Sequence, residues 1–338
     1  MNYIGSKLKL SSWIKDEIMD TVGRNLSDKV FCDLFAGTGI IGRTFKADVK
    51  KVIANDIESY SYVLNRNYIG NHLNIDGLTT LIEELNNVKP RNGFIYQNYC
   101  LGGGSGRLYF SDENGQKIDA IRIKISAWRE KNHISEDIYY FLLASLLESA
   151  DAVANTASVY GAFLKKLKST ALKPLTIKPA YFEINHQEHE VYQQDANALI
   201  TQISGDILYL DPPYNARQYG ANYHLLNTIC LYDNFIPKGK TGLREYQRSQ
   251  YCSKSEVARS FDELISKADF KYIFVSYNNE GLMTTHEIQQ ILSKYGKYDL
   301  AQKQYQRFKA DKTESRNHRT QSTFEYLHIL EKYDVSIA

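Results

Sequence analysis

An α/β fold built around a parallel sheet is what this sequence predicts, on three observations. Strand-like and helix-like segments alternate at the N-terminal end, a glycine-rich turn follows the first buried strand, and a later apolar strand runs straight into a proline-containing turn. Taken in order, Leu8 to about Asp20 places Leu10, Trp13, Ile14 and Ile18 on one helical face. Lys29–Phe35 reads as a short buried strand ending in glycines, with a helix starting near Gly39. Lys51–Asn55 is a second strand, followed by a helix from Glu58 to Tyr68.

From about Gly70 to Glu188 that rhythm lapses. Gly102–Gly106 is glycine-rich, and Ile118, Ile121, Ile125 and Trp128 fit a helix face, although Ile121, Ile123 and Ile125 also alternate as in a strand. Ser135 is an N-cap candidate, with Glu136 and Asp137 in the first turn of the helix it opens. The α/β rhythm returns with strands at Asp206–Leu210 and Tyr272–Ser276, a helix near Thr285–Lys294 and a closing strand at Phe324–Leu330. The expected organisation is therefore one discontinuous α/β domain, residues 1–69 and 189–338, interrupted by an inserted module at 70–188.

Composition sets the bounds. A chain of 338 residues, 43% hydrophobic, can bury a sizeable core. A formal net charge of +2 means that any nucleic-acid surface must be local rather than global. No apolar run approaches the roughly 18–20 residues of a membrane span, and the lysines at Lys7 and Lys9 are not followed by an apolar stretch and cleavage site. A soluble cytoplasmic protein is the expectation. Cys32, Cys100, Cys230 and Cys252 are scattered without a Cys-x-x-Cys pair, which argues against zinc, and no metal site is expected. Histidines His186 and His189 lack a third ligand nearby and read as surface residues. The 26 tyrosines are packing rings first, although such rings also stack on bases.

Two motifs carry chemistry. Asp33-Leu34-Phe35-Ala36-Gly37-Thr38-Gly39-Ile40-Ile41-Gly42 places a GxGxxG pattern directly after a strand, where glycines let the backbone turn sharply beside a ligand. Asp56, at the end of the next strand, can accept both ribose hydroxyls of an adenosine-containing cofactor. A dinucleotide and S-adenosylmethionine both suit this loop. Asp33 tilts the choice, because a carboxylate there favours an amine or a sulfonium and repels a pyrophosphate.

The second motif is Asp211-Pro212-Pro213-Tyr214, at the end of a buried-strand pattern. The plain alternative is a rigid turn capped by a core tyrosine. The functional reading accounts for each residue type. An adenine amine is a poor nucleophile because its lone pair is delocalised; Asp211 can accept its hydrogen bond and offset the positive charge that develops on nitrogen. The Pro212 carbonyl can accept the second amine hydrogen, and both prolines restrict the backbone. Tyr214 offers a ring to an extruded base, and such stacking is worth roughly 1–3 kcal/mol.

These motifs resemble those of the Dam-type DNA adenine methyltransferases, and the resemblance runs along most of the chain. It implies a doubly wound, Rossmann-like sheet, a partly helical target-recognition domain in the insert, and S-adenosylmethionine as cofactor. Tyr3-Ile4-Gly5-Ser6-Lys7 matches the family's N-terminal segment, so Tyr3 and Lys7 are implied to contact the cofactor's methionine part. Asp33, Phe35, Gly37 and Gly39 match its glycine loop, Asp56 its ribose-binding acid, and Asp195-Ala196 its adenine-contacting position. Tyr160-Gly161-Ala162-Phe163 fits the start of the family's recognition hairpin, whereas Leu164-Lys165-Lys166 departs from the rest. The pattern is similar to solitary and restriction-linked modification enzymes, and the branch that methylates CATG sites is the expected specificity.

Double-stranded DNA is the expected partner. Between Ala152 and Phe182 no acid occurs, while Lys165, Lys166, Lys168, Lys173 and Lys178 do, a pattern suited to phosphate contact. Lys238, Lys240, Arg244 and Arg248 form a second basic segment, and Arg307, Lys309, Lys312, Arg316 and Arg319 a third. Tyr160, Arg244, Arg248 and the five lysines are the expected DNA contacts. His224 can line the site or lie on a helix face. A monomer is expected, with any cognate restriction endonuclease on a separate polypeptide. Three other functions remain open at this point: methylation of RNA or a protein amide, a non-catalytic DNA-binding module, and a nicotinamide dehydrogenase, which leaves Asp211–Tyr214 unexplained.

Overall fold

The computed structural model of the protein describes residues 6–306 and 322–333. The chain forms two compact units, each assembled from separate stretches. Among the described residues no helix is long and apolar enough to cross a membrane.

The sheet unit comprises Ser6–Ile57, Gln187–Gln218 and Arg248–Ala338. Its strands are β1 (Val30–Asp33), β2 (Lys51–Asn55), β3 (Glu190–Tyr192), β4 (Ser204–Leu210), β5 (Asp269–Asn278), β6 (Gly296–Gln306) and β7 (Ser322–Lys332). They form one sheet in the order β3-β2-β1-β4-β5-β7-β6. The first five pair in parallel, and β7 runs antiparallel to both neighbours. The chain builds outward from β1 to β3, then resumes with β4 on the other side of β1, which is the doubly wound arrangement. The carboxyl ends of β1 and β4 therefore flank the switch point where open α/β sheets form a ligand crevice. Asp33 lies opposite Tyr209 there, two residues before Asp211.

Both faces of the sheet are covered. On one, the alternating residues Cys32, Leu34, Leu208, Leu210, Ile273 and Val275 pack with helices Ala196–Leu199, Val257–Lys267 and Thr285–Leu292. On the other, Phe31 of β1 stacks on Phe45 of helix Ile40–Phe45 with ring centroids 4.3 Å apart. Helix Ser11–Val22 lies beside that helix and buries Ile14 and Ile18, two of the four apolar residues expected on its face. Thr284 opens helix Thr285–Leu292 with a reciprocal capping box to Glu287, satisfying two amides that would otherwise lack partners.

The helical unit takes in Glu58–His186 and Tyr219–Gln247. Its named elements are all helices, the longest being Asp112–Glu130 and Glu136–Ala152. The ambiguity around Ile121 resolves as helix, with Ile118, Ile121 and Ile125 fully buried and Ser111 capping the N-terminus. Ser135 caps the next helix as expected, accepting from the Ile138 amide. Buried Arg122 is satisfied by the carbonyls of Ile229 (2.9 Å) and Cys230 (2.8 Å), which ties Asp112–Glu130 to helix His224–Leu231.

This unit is wider than the insert expected at 70–188. Helix Ser59–Asn65 buries Tyr60, Val63 and Leu64 in the same core as Leu225, Leu226 and Ile229 of a helix that follows the tetrapeptide. A contiguous insertion has no room for that return. Between Ala152 and Glu190 the chain forms neither helix nor strand, so the recognition hairpin expected at Tyr160–Phe163 is absent as paired strands. Side chains take the place of a strand partner. Asn155, fully buried, donates to the carbonyls of Leu108 (2.9 Å) and Leu164 (3.0 Å) and accepts from the Lys168 amide at 3.0 Å. Asn114 grips Ala171, Lys173 and Leu175, and Asn86 both donates to and accepts from the backbone of Ile177. Ser149 and Ser145 accept from the amides of Lys178 and Ala180. The segment is irregular and nevertheless tightly fastened.

Candidate active site

The site lies within the sheet unit, at the carboxyl ends of β1, β2 and β4. Gly37 and Gly39 adopt left-handed φ values of 52° and 76°, which the turn from β1 into helix Ile40–Phe45 requires and which a side chain would strain. Asp56 accepts from the Gly37 amide at 2.8 Å and so holds the loop against the end of β2. Asn55 donates to the Leu34 and Gln194 carbonyls, both at 3.1 Å, and accepts from the Gln194 amide. That clamp, absent from the sequence expectations, sets the turn at Asp195 in register with the glycine loop.

Asp33 is the buried acid of the group. Its Oδ2 accepts from the Gly42 amide at 3.1 Å, whereas Oδ1 is buried with no hydrogen-bond partner among the described residues. Burial pushes its carboxyl up to about 8, against the opposing pull of the Gly42 amide. An orphaned carboxylate oxygen of this kind is costly unless something supplies a donor or a positive charge. The residues present therefore fit a cationic ligand group at the end of β1.

Asp195 caps helix Ala196–Leu199, its Oδ1 accepting from Asn197 and Ala198, and Ala196 is buried beneath it. Phe35 packs edge-on against Tyr251 with centroids 5.0 Å apart, and the Tyr251 hydroxyl donates to Asn197 at 2.7 Å. The glycine loop and the Asp195 turn are thus connected through one buried tyrosine. Tyr3 lies outside the described residues.

Asp211 follows directly on β4, with its side chain 18% exposed. Its Oδ1 lies 3.1 Å from Lys7 Nζ, which also reaches Glu325 Oε1 at 2.8 Å. Burial raises the Asp211 carboxyl and Lys7 pulls it back down, leaving it at about 6, with Glu325 adding to the rise. Although burial pushes Lys7 down, Asp211 and Glu325 together hold it well above the ordinary lysine value. Lys7, implied by resemblance to contact the cofactor, is here bonded to the acid of the tetrapeptide. Pro212 is buried and Pro213 half-buried. The half-buried Tyr214 ring meets Tyr277 edge-on at 6.5 Å and lies 5.9 Å from Lys7 Nζ, and its carbonyl accepts from Leu282.

Glu325 and Ser276 belong to this group and no sequence expectation included them. Glu325, on β7, is 1% exposed and accepts from Ser276 Oγ of β5 at 2.5 Å. No motif marks either position; only the antiparallel pairing of β5 and β7 brings them together.

Several expected DNA contacts have other roles. Tyr160 is fully buried, donating to Asp151 at 2.8 Å while its carbonyl accepts from Tyr109, so it is a core tyrosine and not a DNA-facing one. Arg244 is likewise not a free DNA contact: its side chain is 10% exposed, its guanidinium makes two hydrogen bonds to Asp233 at 3.0 Å and sits over the Phe235 ring. His224 is buried, bonded to the Tyr160 carbonyl and pushed down to about 4 by burial, a core histidine. Lys168 is half-buried and donates to the Thr156 carbonyl. Lys165, Lys166, Lys173 and Lys178 are exposed on the fastened segment of the helical unit, and Arg248 is exposed on the sheet unit. The third basic segment, Arg307 to Arg319, lies outside the described residues.

Comparison with known proteins shows the family. The sequence model of a family described as D12 class N6 adenine-specific DNA methyltransferase matches residues 3–291. Type II methyltransferase M.NlaIII of Neisseria lactamica is 69% identical over 332 residues, covering 98% of this chain and 99% of its own. Type II methyltransferase M.CviAII of Paramecium bursaria Chlorella virus 1 is 41% identical, covering 92% of this chain and 93% of its own. Type II methyltransferase M.FokI of Planomicrobium okeanokoites is 40% identical over 92% of this chain, which spans 50% of that relative.

Proposed function

The chain belongs to the D12 class of N6 adenine-specific DNA methyltransferases, and from that premise we propose that it modifies one short duplex site as the modification component of a type II restriction system. It is an enzyme whose methyl donor is S-adenosylmethionine and whose substrate is adenine in DNA. The Asp211 cluster is the observation that carries the site assignment.

When bound, S-adenosylmethionine supplies an electrophilic methyl group on a sulfonium. Asp33, Phe35, Gly37, Gly39, Asp56, Asp195 and Ala196 would hold it, and the orphaned Asp33 Oδ1 suits its positive charge. Tyr3 completes this set by resemblance, and Lys7 is shared with the tetrapeptide. Asp211, ionised at neutral pH with a pKa of about 6, accepts a hydrogen bond from the amine and offsets its developing charge. The Pro212 carbonyl accepts the second amine hydrogen, and the two prolines keep both acceptors in place before the base arrives. Tyr214 stacks on the flipped ring. At roughly 1–3 kcal/mol, that contact offsets much of the few kcal/mol that unstacking costs. The proton leaves the methylated nitrogen for solvent.

Exposed Lys165, Lys166, Lys173, Lys178 and Arg248 contact phosphates. The enzyme works as a monomer in the cytoplasm, and a cognate endonuclease on a separate polypeptide acts at the same site, for which CATG is the expected sequence. Base-modification sequencing of DNA from a methylation-free bacterial host expressing this protein tests the assignment. N6-methyladenine at one short motif is expected throughout the genome. Unmodified adenines despite soluble expression contradict it.

A further inference from the structure

We propose that Glu325 is a positioning residue for methyl transfer, holding Lys7 so that Asp211 keeps an uncompensated negative charge for the reacting amine. The proposal rests on Asp211 being the acceptor of that amine. Lys7 Nζ sits between Glu325 Oε1 at 2.8 Å and Asp211 Oδ1 at 3.1 Å, and Ser276 Oγ anchors Glu325 from β5 at 2.5 Å. Lys7 and Glu325 are 7% and 1% exposed, so solvent does little to screen either charge.

One ammonium and two carboxylates leave one negative charge in excess. Lys7 lies nearer Glu325, the more deeply buried partner, so the excess falls on Asp211, the more exposed one. Without Glu325, Lys7 would pair one-to-one with Asp211 and neutralise the carboxylate that must answer positive charge on nitrogen. The closest approach of Lys7 to Asp211 is at Oδ1, which orients the carboxylate. Among the described residues, the other charged or titratable groups that act on this cluster are Asp33 of β1, Tyr209 of β4 and Tyr214.

Two substitutions make opposite predictions. Glu325→Gln removes a charge that raises the Asp211 pKa, so the Asp211 midpoint falls below about 6. Ser276→Ala leaves Glu325 with Lys7 as its remaining anchor among the described residues, draws Lys7 away from Asp211, and raises that midpoint. Carbon NMR titration of cofactor-free enzyme, with Asp211→Asn to assign the signal, reads both shifts directly. Single-turnover methylation of duplex DNA at neutral pH should fall roughly tenfold or more in Glu325→Gln, with S-adenosylmethionine affinity held within a few-fold.

An unchanged midpoint, or a wild-type rate beside a shifted midpoint, overturns the proposal. A lower rate with no shift does so too, because it marks mere structural damage. Should Glu325→Gln fail to fold, the upward shift in Ser276→Ala decides alone. Asp211→Ala, run in parallel, separates the two readings: full activity there sinks the site assignment itself, whereas an inactive Asp211→Ala beside a normal Glu325→Gln sinks only the role of Glu325.

Discussion

Asp33 shows what a single buried acid contributes. With its carboxyl at about 8, it is protonated in free enzyme at neutral pH, and an arriving cation ionises it. Binding of S-adenosylmethionine near neutral pH should therefore release close to one proton. Calorimetry in buffers of different ionisation enthalpy measures that release, and Asp33→Asn should abolish it while weakening binding. The same raised value sets a stability trend. The protonated carboxyl stabilises the free enzyme fully below the unfolded pKa near 3.8, and that contribution is lost as pH rises through about 8. Free wild-type enzyme should lose more Tm than Asp33→Asn across the upper part of that window. At this scale the sequence was legible wherever a motif imposes a residue type: Asp33, Gly37, Gly39, Asp56 and Asp211 all lie around the switch point of one sheet. It was illegible for Glu325, Ser276 and Asn55, whose roles come from strand pairing and not from spacing along the chain. Tyr160 was misread because a tyrosine that packs and one that stacks on a base look alike before burial is known.

Some elements with a clear period are legible in the sequence, although the strongly amphipathic helix Val257–Lys267 was in no expectation. β2 spans Lys51–Asn55 as expected, and Ser135 caps its helix. β6 went unnoticed because an edge strand such as Gly296–Gln306 carries polar residues on both faces and is defined only by its ladder with β7. The segment after Ala152 is the sharper case: the resemblance implied a hairpin there, yet the chain is irregular and buried asparagines fasten it. Asn155→Ala would leave the Leu108 and Leu164 carbonyls and the Lys168 amide without their partner. The expected loss is about 2–4 kcal/mol of stability, measured by urea denaturation. DNA affinity should fall as well, because Lys165 and Lys166 would no longer be held in place, while cofactor affinity should be unaffected. A variant with normal stability and normal DNA binding would show that the clamp is dispensable.

For the whole molecule, the near-neutral balance of +2 means that DNA affinity must come from local clusters, and the four exposed lysines after Asn155 are the proposed one. Replacing Lys165 and Lys166 together with alanine should weaken binding of any duplex and reduce the slope of log affinity against log salt by about 0.9 per lost phosphate contact. An unchanged slope would place the phosphate contacts elsewhere. The two units interleave along the chain, which is why domain limits were the least legible feature: Ser59–Asn65 and His224–Leu231 belong to the helical unit although they flank motifs of the sheet. What unites the molecule is the carboxylate that ends β4. Transfer of a labelled methyl group to duplex DNA under single turnover, comparing wild type with Asp211→Ala, tests that centre most directly. The account predicts retained cofactor and DNA binding with transfer reduced by roughly a thousandfold or more; equal transfer by the two proteins would contradict it.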